Sequence, residues 1–199
     1  MLTTSIVKNT DITPLIHSKF SDSSIIIKAL KSKKTKCVYY YNSDSEKLMK
    51  HLQNHFPIIE AAGGMVKNNK DQFLLIYRNG KWDLPKGHLT KKEMIVDGAI
   101  REVIEETGAL DLVSRSILPT TYHIYKKNGQ YMLKKTYWFL MDTFYKGNLK
   151  PQIQENIEKA VWKNKDEIKN AMKNMYSNIM LLFNFYFDEK FTADGTKDL

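Results

Sequence analysis

The chain has 199 residues, long enough to bury one sizeable core and carry a small appendage. Lys and Arg total 31 against 22 Asp and Glu, and the net charge of +9 favours polyanionic partners, although a Lys- and Asn-rich composition explains part of it. A single cysteine, Cys37, excludes an internal disulfide framework and suits a reducing compartment. No charged segment followed by an apolar run opens the chain, and the apolar stretch Ile179 to Phe187 is too short to span a bilayer. A cytoplasmic protein without a membrane partner is expected.

Ser24 to Ala29 and Lys36 to Tyr41 are rich in Ile, Val and Tyr and read as short strands, with a basic turn around Lys34 between them. Asp44 to His55 reads as a helix, because Leu48 and Leu52 stand four apart and Ser43 or Asp44 suits its start. Pro57 ends it. Residues 1–57 are therefore expected to form a small N-terminal α/β extension. Covering a sheet edge or building a homodimer is its expected role, in preference to a second active site.

From Ile59 the pattern changes. Ala62 to Lys67 and Gln72 to Tyr77 read as strands around the turn-like Asn68-Asn69-Lys70-Asp71. Arg78-Asn79-Gly80-Lys81 is a second turn, and Trp82-Asp83-Leu84-Pro85 runs extended after it. A helix between Thr90 and Gly108 is followed by a strand from Asp111 to Leu118. Thr120 to Tyr125 and Tyr131 to Phe144 alternate apolar and polar residues around Asn128-Gly129, a strong hairpin signal. Asp166 to Asp188 reads as one long closing helix carrying Ile168, Met172, Met175, Ile179 and Leu182. Helices before and after a sheet-rich middle imply an α/β/α layered domain over residues 58–199.

The helix after Thr90 is the most informative part of the chain. Thr90 and Glu93 have capping-box spacing, which makes Thr90 the expected N-cap. Gly108 suits the left-handed residue just past the C-terminus. Val96, Ala99, Ile100 and Val103 form the core-facing stripe between them. Glu102, Glu105 and Glu106 stand at i, i+3 and i+4, within a sector of about 100° at roughly 3.6 residues per turn. Such like charges weaken a helix, and taken alone they read as a solvated face. They lie at the edge of the apolar stripe, however, where an uncompensated cluster is costly. That position favours hard oxygen ligands for Mg²⁺ or Mn²⁺.

Gly87, then Glu93 six positions on, then Arg101-Glu102-Val103-Ile104-Glu105-Glu106-Thr107-Gly108-Ala109 resembles the Nudix box of the Nudix hydrolases. Every charged and glycine position of that pattern is present. Ala109 stands where the family usually has a larger aliphatic residue, a difference of packing rather than chemistry. The Ala61-Ala62-Gly63-Gly64 segment upstream, the Trp82-Asp83-Leu84-Pro85-Lys86 entry and the strands and closing helix downstream extend the resemblance over residues 58–188. The longer chain is also similar to a group of two-part Nudix proteins from bacteria.

The resemblance implies a Nudix-type α/β/α sandwich with a mixed sheet, and hydrolysis of a diphosphate linked to another moiety. Glu102, Glu105 and Glu106, with the backbone carbonyl of Lys86, are the implied ligands of Mg²⁺ or Mn²⁺. The metal would neutralise the diphosphate oxygens, orient a water and steady the leaving phosphate. Positioning and charge stabilisation carry most of the rate of attack at phosphorus. Glu105 is the expected general base, with Glu106 mainly a ligand and Glu155, in the loop from Pro151, the candidate outside the box. Arg101, four residues before Glu105, is expected to orient it through a charged hydrogen bond. Glu93 is assigned a structural, capping role.

Substrate choice is less plainly written. Trp82, Tyr122 and Tyr137 are candidates to stack on a base, although half-buried strand aromatics more often belong to a core. Arg78, Lys86, Lys134 and Lys135 are candidates to meet phosphates, with His88 and His123 beside them. Most exposed lysines and single histidines do nothing specific. Pro85-Lys86-Gly87-His88 is similar to the box entry of diadenosine polyphosphate hydrolases and related nucleotide-cleaving members. The expected substrate is therefore a phosphorylated small molecule, a nucleoside polyphosphate or a nucleoside diphosphate-linked compound. ADP-ribose, a sugar nucleotide or an inositol pyrophosphate is the alternative within enzymes, and a non-catalytic nucleotide sensor the alternative outside them. A binding-only domain has no need of a complete metal cluster, which favours the enzyme. No specific nucleic-acid partner is expected, although the charge permits nonspecific RNA binding.

Overall fold

The computed structural model describes residues 2–193 apart from 4, 7–9, 11–12 and 36–37. The chain divides into two compact units, 1–58 with 124–133, and 59–123 with 134–199. In the first, β1 (Leu2–Thr3), β2 (Leu15–His17) and β3 (Tyr39–Tyr41) form a sheet in the order β1-β3-β2, both pairings parallel. Two helices accompany it, α1 (Ser23–Lys31) and α2 (Ser45–His55).

α1 corrects the expectation of a strand at Ser24 to Ala29. The Asp22 carboxylate accepts the Ile25 N–H at 3.0 Å and caps the first turn. Ile26 is then buried while Ile25 and Leu30 remain exposed, an amphipathic helix rather than a half-buried strand. Isoleucine costs a helix only about half a kcal/mol per residue, so cap and burial outweigh the β-branched run. Lys36 and Cys37, the start of the second expected strand, lie outside the described residues. α2 forms as expected, with Asp44 accepting the N–H groups of Glu46 and Lys47 and with Leu48 and Leu52 buried.

The larger sheet is built from β4 (Ile58–Asn68), β5 (Phe73–Arg78), β6 (Lys81–Asp83), β7 (Lys86–His88), β8 (Val113–Lys127), β9 (Gln130–Thr143) and β10 (Ile157–Lys163). Its order is β10-β5-β4-β9-β8, with β6 beside β5 and β7 beside β4. β5 is antiparallel to β4, β6 and β10, and β7 is antiparallel to β4. Tyr137 reaches Glu60 and Met141 lies against Gly64, so β9 advances in the same direction as β4. The sheet is mixed.

Alternation along these strands sends neighbours to opposite faces. Ala62, Val66, Leu74, Phe139 and Met141 pack on one face against Ala99 and Val103 of α3 (Ile95–Thr107). Met65, Phe73, Leu75 and Trp138 pack on the other, against Ile168 of α4 (Lys165–Ala171) and Ile179, Leu182 and Phe183 of α5 (Ser177–Ala193). This is the expected α/β/α sandwich.

Two further expectations are corrected. Asp166 to Asp188 is not one helix: a single 3-10 turn, Met172–Asn174, ends α4, and the chain then runs extended at Met175. There Met175 bridges Trp82, and the Tyr176 N–H donates to the Trp82 carbonyl at 3.3 Å. A tertiary partner for the backbone thus replaces a turn of helix. The segments from Asp111 and from Thr120 are one strand, β8, which runs through the exposed Pro119. β8 is the last strand in the order, and an edge strand tolerates a residue that cannot donate. Among the described residues no helix is long and apolar enough to cross a membrane.

Candidate active site

α3 begins at Ile95 with Met94 as its N-cap, and no side chain caps it. Thr90, the expected N-cap, lies in the preceding loop, where its N–H and hydroxyl donate to Glu93 Oε2 at 3.0 and 3.1 Å. The reciprocal bond, from the Glu93 N–H to the Thr90 hydroxyl, is missing because that hydroxyl turns to the Glu93 carboxylate, which Arg101 holds as well. Arg101 Nε donates to Glu93 Oε1 at 2.7 Å and Nη2 to Oε2 at 3.0 Å. A two-point bond between charged groups is stronger than a neutral cap. It pulls the Glu93 carboxyl down to about 2, with the Thr90 N–H as the next contributor. Gly108 closes the helix at a φ of 69°, the expected left-handed residue.

The same guanidinium gathers the other acids. Nη1 of Arg101 donates to Glu102 Oε1 at 2.7 Å and to Glu105 Oε2 at 3.1 Å, while Nη2 also donates to the His88 carbonyl at 3.1 Å. Glu102 is 6% exposed, and its carboxylate sits directly over Gly87, where any Cβ would collide with it. Glu106 is fully buried; its Oε1 accepts from Arg78 Nη1 at 3.2 Å and its Oε2 from the Lys86 N–H at 2.8 Å. Burial pushes the Glu106 carboxyl up to about 7 against the pull of Lys86 and Arg78. Burial raises Glu102 as well, with Arg101 opposing. Glu105 remains open to solvent.

Residues from remote segments complete the cluster. Glu155 lies in a 3-10 turn, Ile153–Glu155, that is held at the end of α3 by Gln152 N–H to Glu106 carbonyl (3.1 Å) and Lys150 N–H to Thr107 carbonyl (2.7 Å). Its carboxylate is 3.9 Å from Arg78. Asp83 was not singled out from sequence, yet it is 3% exposed and pairs with Lys86 Nζ at 2.5 Å. Its adjacency to the box entry was the only signal available. Lys134 feels Lys86, Arg78, Asp83 and Glu106, and burial first and those cations next hold its pKa below the ordinary value. His123, although an exposed residue, has its imidazole lowered first by desolvation and then by Lys86 and Lys134. Lys86, Lys134 and His123 thus stand near one another around Asp83, with Arg78 close to Lys134 and bound to Glu106.

Other expected substrate residues fall elsewhere. The Tyr137 hydroxyl donates to Glu60 Oε1 at 2.7 Å, and Lys135 Nζ is 3.7 Å from that oxygen and 4.5 Å above the Tyr137 ring. Tyr122 is close enough to influence Lys135 and belongs with this second group. Trp82 is not brought to the acids at all. It meets Tyr77 edge-on at 4.9 Å, lies under Lys163 at 4.5 Å and packs on the α5 core. One step of strand alternation turns Asp83 to the acids and Trp82 away from them.

Among the described residues no three acidic, histidine or cysteine side chains stand ready-made around a metal position. Arg101 draws Glu102 and Glu105 to itself, and Arg78 holds Glu106. The donor chemistry nevertheless fits a hard divalent cation. The set is all carboxylate oxygen, burial disfavours the negative charge on two of its members, and Gly87 leaves the space that the Glu102 carboxylate occupies.

A family model described as the NUDIX domain matches residues 57–182. The m7GpppN-mRNA hydrolase of Saccharomyces cerevisiae is 27% identical over 155 residues, which is 71% of this chain but 14% of that enzyme. Among solved structures, the MutT protein from Methanosarcina mazei Go1 is 24% identical with a TM-score of 0.54, covering 68% of this chain and 96% of that one. A C. elegans Ap4A hydrolase in a binary complex is 20% identical with a TM-score of 0.50, covering 69% and 99%. At these identities the structural likeness concerns the fold.

Proposed function

The chain belongs to the Nudix family of pyrophosphohydrolases, and we propose that it hydrolyses a diphosphate bond in a nucleoside polyphosphate or nucleoside diphosphate-linked compound with the help of Mg²⁺ or Mn²⁺. The observation that carries this reading is the gathering of Glu102, Glu105 and Glu106 around Arg101 and Arg78 at one end of a packed helix. Glu102, Glu105, Glu106 and the Lys86 carbonyl would hold the cation, which when bound supplies charge neutralisation at the diphosphate and a more acidic water.

The chain's own residues do the rest. Glu105, the open member of the set, takes the proton of the attacking water, and Glu155 is the second candidate for that task. Arg101 is a positioning residue, since one guanidinium binds the carboxylates of Glu93, Glu102 and Glu105. Arg78, Lys86, Lys134 and His123 offer positive charge to the phosphates, and Lys135, Tyr137 and Tyr122 supply a neighbouring polar and aromatic surface. The compartment proposed for this work is the cytoplasm.

The test is phosphate or nucleotide release by the full chain, with Mg²⁺ and with EDTA. The panel holds dinucleoside polyphosphates, oxidised deoxynucleoside triphosphates, ADP-ribose, NADH, an inositol pyrophosphate and, because of the yeast relative's name, m7G-capped RNA. Expected is metal-dependent turnover that Glu105→Gln lowers about 100-fold or more at unchanged melting temperature. Undiminished turnover in that variant removes Glu105 from its role. Tight nucleotide binding without turnover on any member would replace the enzyme with a sensor.

A further inference from the structure

The first compact unit carries an open trough. Its main hollow, of about 910 Å³, is lined by α1, by His55 and Phe56 at the end of α2, and by the hairpin residues Gly129 to Tyr131. A second hollow of about 430 Å³ shares Ile27, Lys31 and Tyr131 with the first, so the two continue along α1 as one surface. At about 1.5 Å per residue, α1 runs for roughly 13 Å beside it.

The lining is cationic and aromatic. Lys28, Lys31 and Lys126 line it and no Asp or Glu does, while Asp22, held by the Ser24 hydroxyl at 2.7 Å, is the acid beside the lining. None of the three enters an ion pair among the described residues. Lys31 Nζ and Lys126 Nζ stand 5.4 and 5.9 Å from the centroid of the same Tyr131 ring. Two ammonium groups gathered at one ring concentrate positive charge there, which favours an anionic ligand. Tyr125 and Tyr131 add half-buried aromatic surface, and Ser23, Ser24 and Gln130 add neutral hydrogen-bonding groups. The exposed Lys33, Lys34 and Lys127 extend the positive charge past both ends of the lining segments.

A ligand for this surface needs repeated negative charge, flat apolar faces and an extended form. An acidic peptide has the charge without the faces. A membrane surface is too flat to enter a hollow. We propose that the trough binds a short stretch of single-stranded nucleic acid without sequence preference, phosphates on the lysines and a base against the tyrosines. This site is independent of the hydrolase reading.

The test measures fluorescence anisotropy of a labelled oligouridylate with the full chain over a range of salt. One variant carries Lys28→Gln, Lys31→Gln and Lys126→Gln; a control carries Lys50→Gln, Lys70→Gln and Lys173→Gln, exposed lysines that are not in the lining and remove the same charge. Expected is a loss of about 10-fold or more with a shallower salt slope in the trough variant, against a change of about 2-fold in the control. Tyr131→Leu should weaken the oligonucleotide about 5-fold while leaving inorganic polyphosphate binding in place. Equal losses in the two triple variants mean that net charge alone binds, and overturn the proposal. Tighter binding of polyglutamate or of phosphatidylserine vesicles than of the oligonucleotide overturns it too. Pyrophosphate hydrolysis of a small substrate should be unchanged in the trough variant, so failure of one reading leaves the other standing.

Discussion

The carboxylate of Glu102 occupies the space that a side chain on Gly87 would need, so a helix acid and a loop glycine fix each other's position. Gly87→Ala must displace a carboxylate that is 6% exposed and bound to Arg101 at 2.7 Å. Turnover should fall about 100-fold, because displacement of a group by an ångström costs that much in a positioned site. Melting should drop by roughly 2–12 °C for an overpacking cost of about 1–3 kcal/mol. Wild-type kinetics in Gly87→Ala would show that the contact has no part in catalysis.

Arg101 serves three glutamates with one guanidinium, and lysine cannot copy that geometry. Arg101→Lys should keep the fold yet lose about 10-fold or more in kcat, because one ammonium cannot bridge Glu93 and Glu102 together. Arg101→Ala should cost about 3 kcal/mol, since it leaves the buried Glu102 charge without its partner. Thermal melting and steady-state rates on both variants check this. Equal rates for Arg101→Lys and the parent would reduce the fork to a surface salt bridge.

Glu106 gives the metal-free protein a defined pH response. Its carboxyl titrates at about 7 in the fold against 4.5 ordinarily, because of burial. Between those values the native chain holds a proton that the unfolded chain has lost, so stability falls as pH rises through the window and levels off above it. The slope is about 1.4 kcal/mol per pH unit at most, or roughly 3–5 °C of melting temperature. Melting in EDTA from pH 5 to 7.5 should show this fall, and Glu106→Gln should remove it. A parallel curve in the variant would reassign the titration.

Lys134 is held among cations with its charged form disfavoured by burial. Lys134→Met keeps the apolar stem and removes the charge. The expected result is a melting temperature no lower than the parent's, together with a KM for an anionic substrate raised about 10-fold. An unchanged KM would show that this lysine does not meet substrate.

Part of this was legible from local rules. The Asn128-Gly129 turn, the α2 cap at Asp44, the apolar stripe of α3 and the left-handed Gly108 all depend on neighbours a few residues away, and they appear as expected. Misreadings arose where a distant partner intervened. Thr90 is no N-cap because its hydroxyl donates to the Glu93 carboxylate, which Arg101 holds in place, instead of accepting a helix N–H. The closing helix breaks at Met175 because the Trp82 backbone meets it there. The triple isoleucine of α1 reads as strand because its β-branched composition outweighs a cap three residues earlier in the chain. Trp82 looked available for stacking because sequence does not say which face of β6 the sheet will cover.

By itself the sequence determined the acids, their spacing on one helix side and the family they resemble, because a period of about 3.6 residues places i, i+3 and i+4 together whatever the rest of the chain does. Tertiary structure alone decided that Glu102 and Glu106 are buried while Glu105 stays open. It also decided that Asp83, Lys134 and Glu155 join them, and that residues 124–133 belong with the N-terminal unit. Burial and Coulomb energy depend on distance through space, and segments far apart in the chain set those distances only once the sheet has brought them side by side.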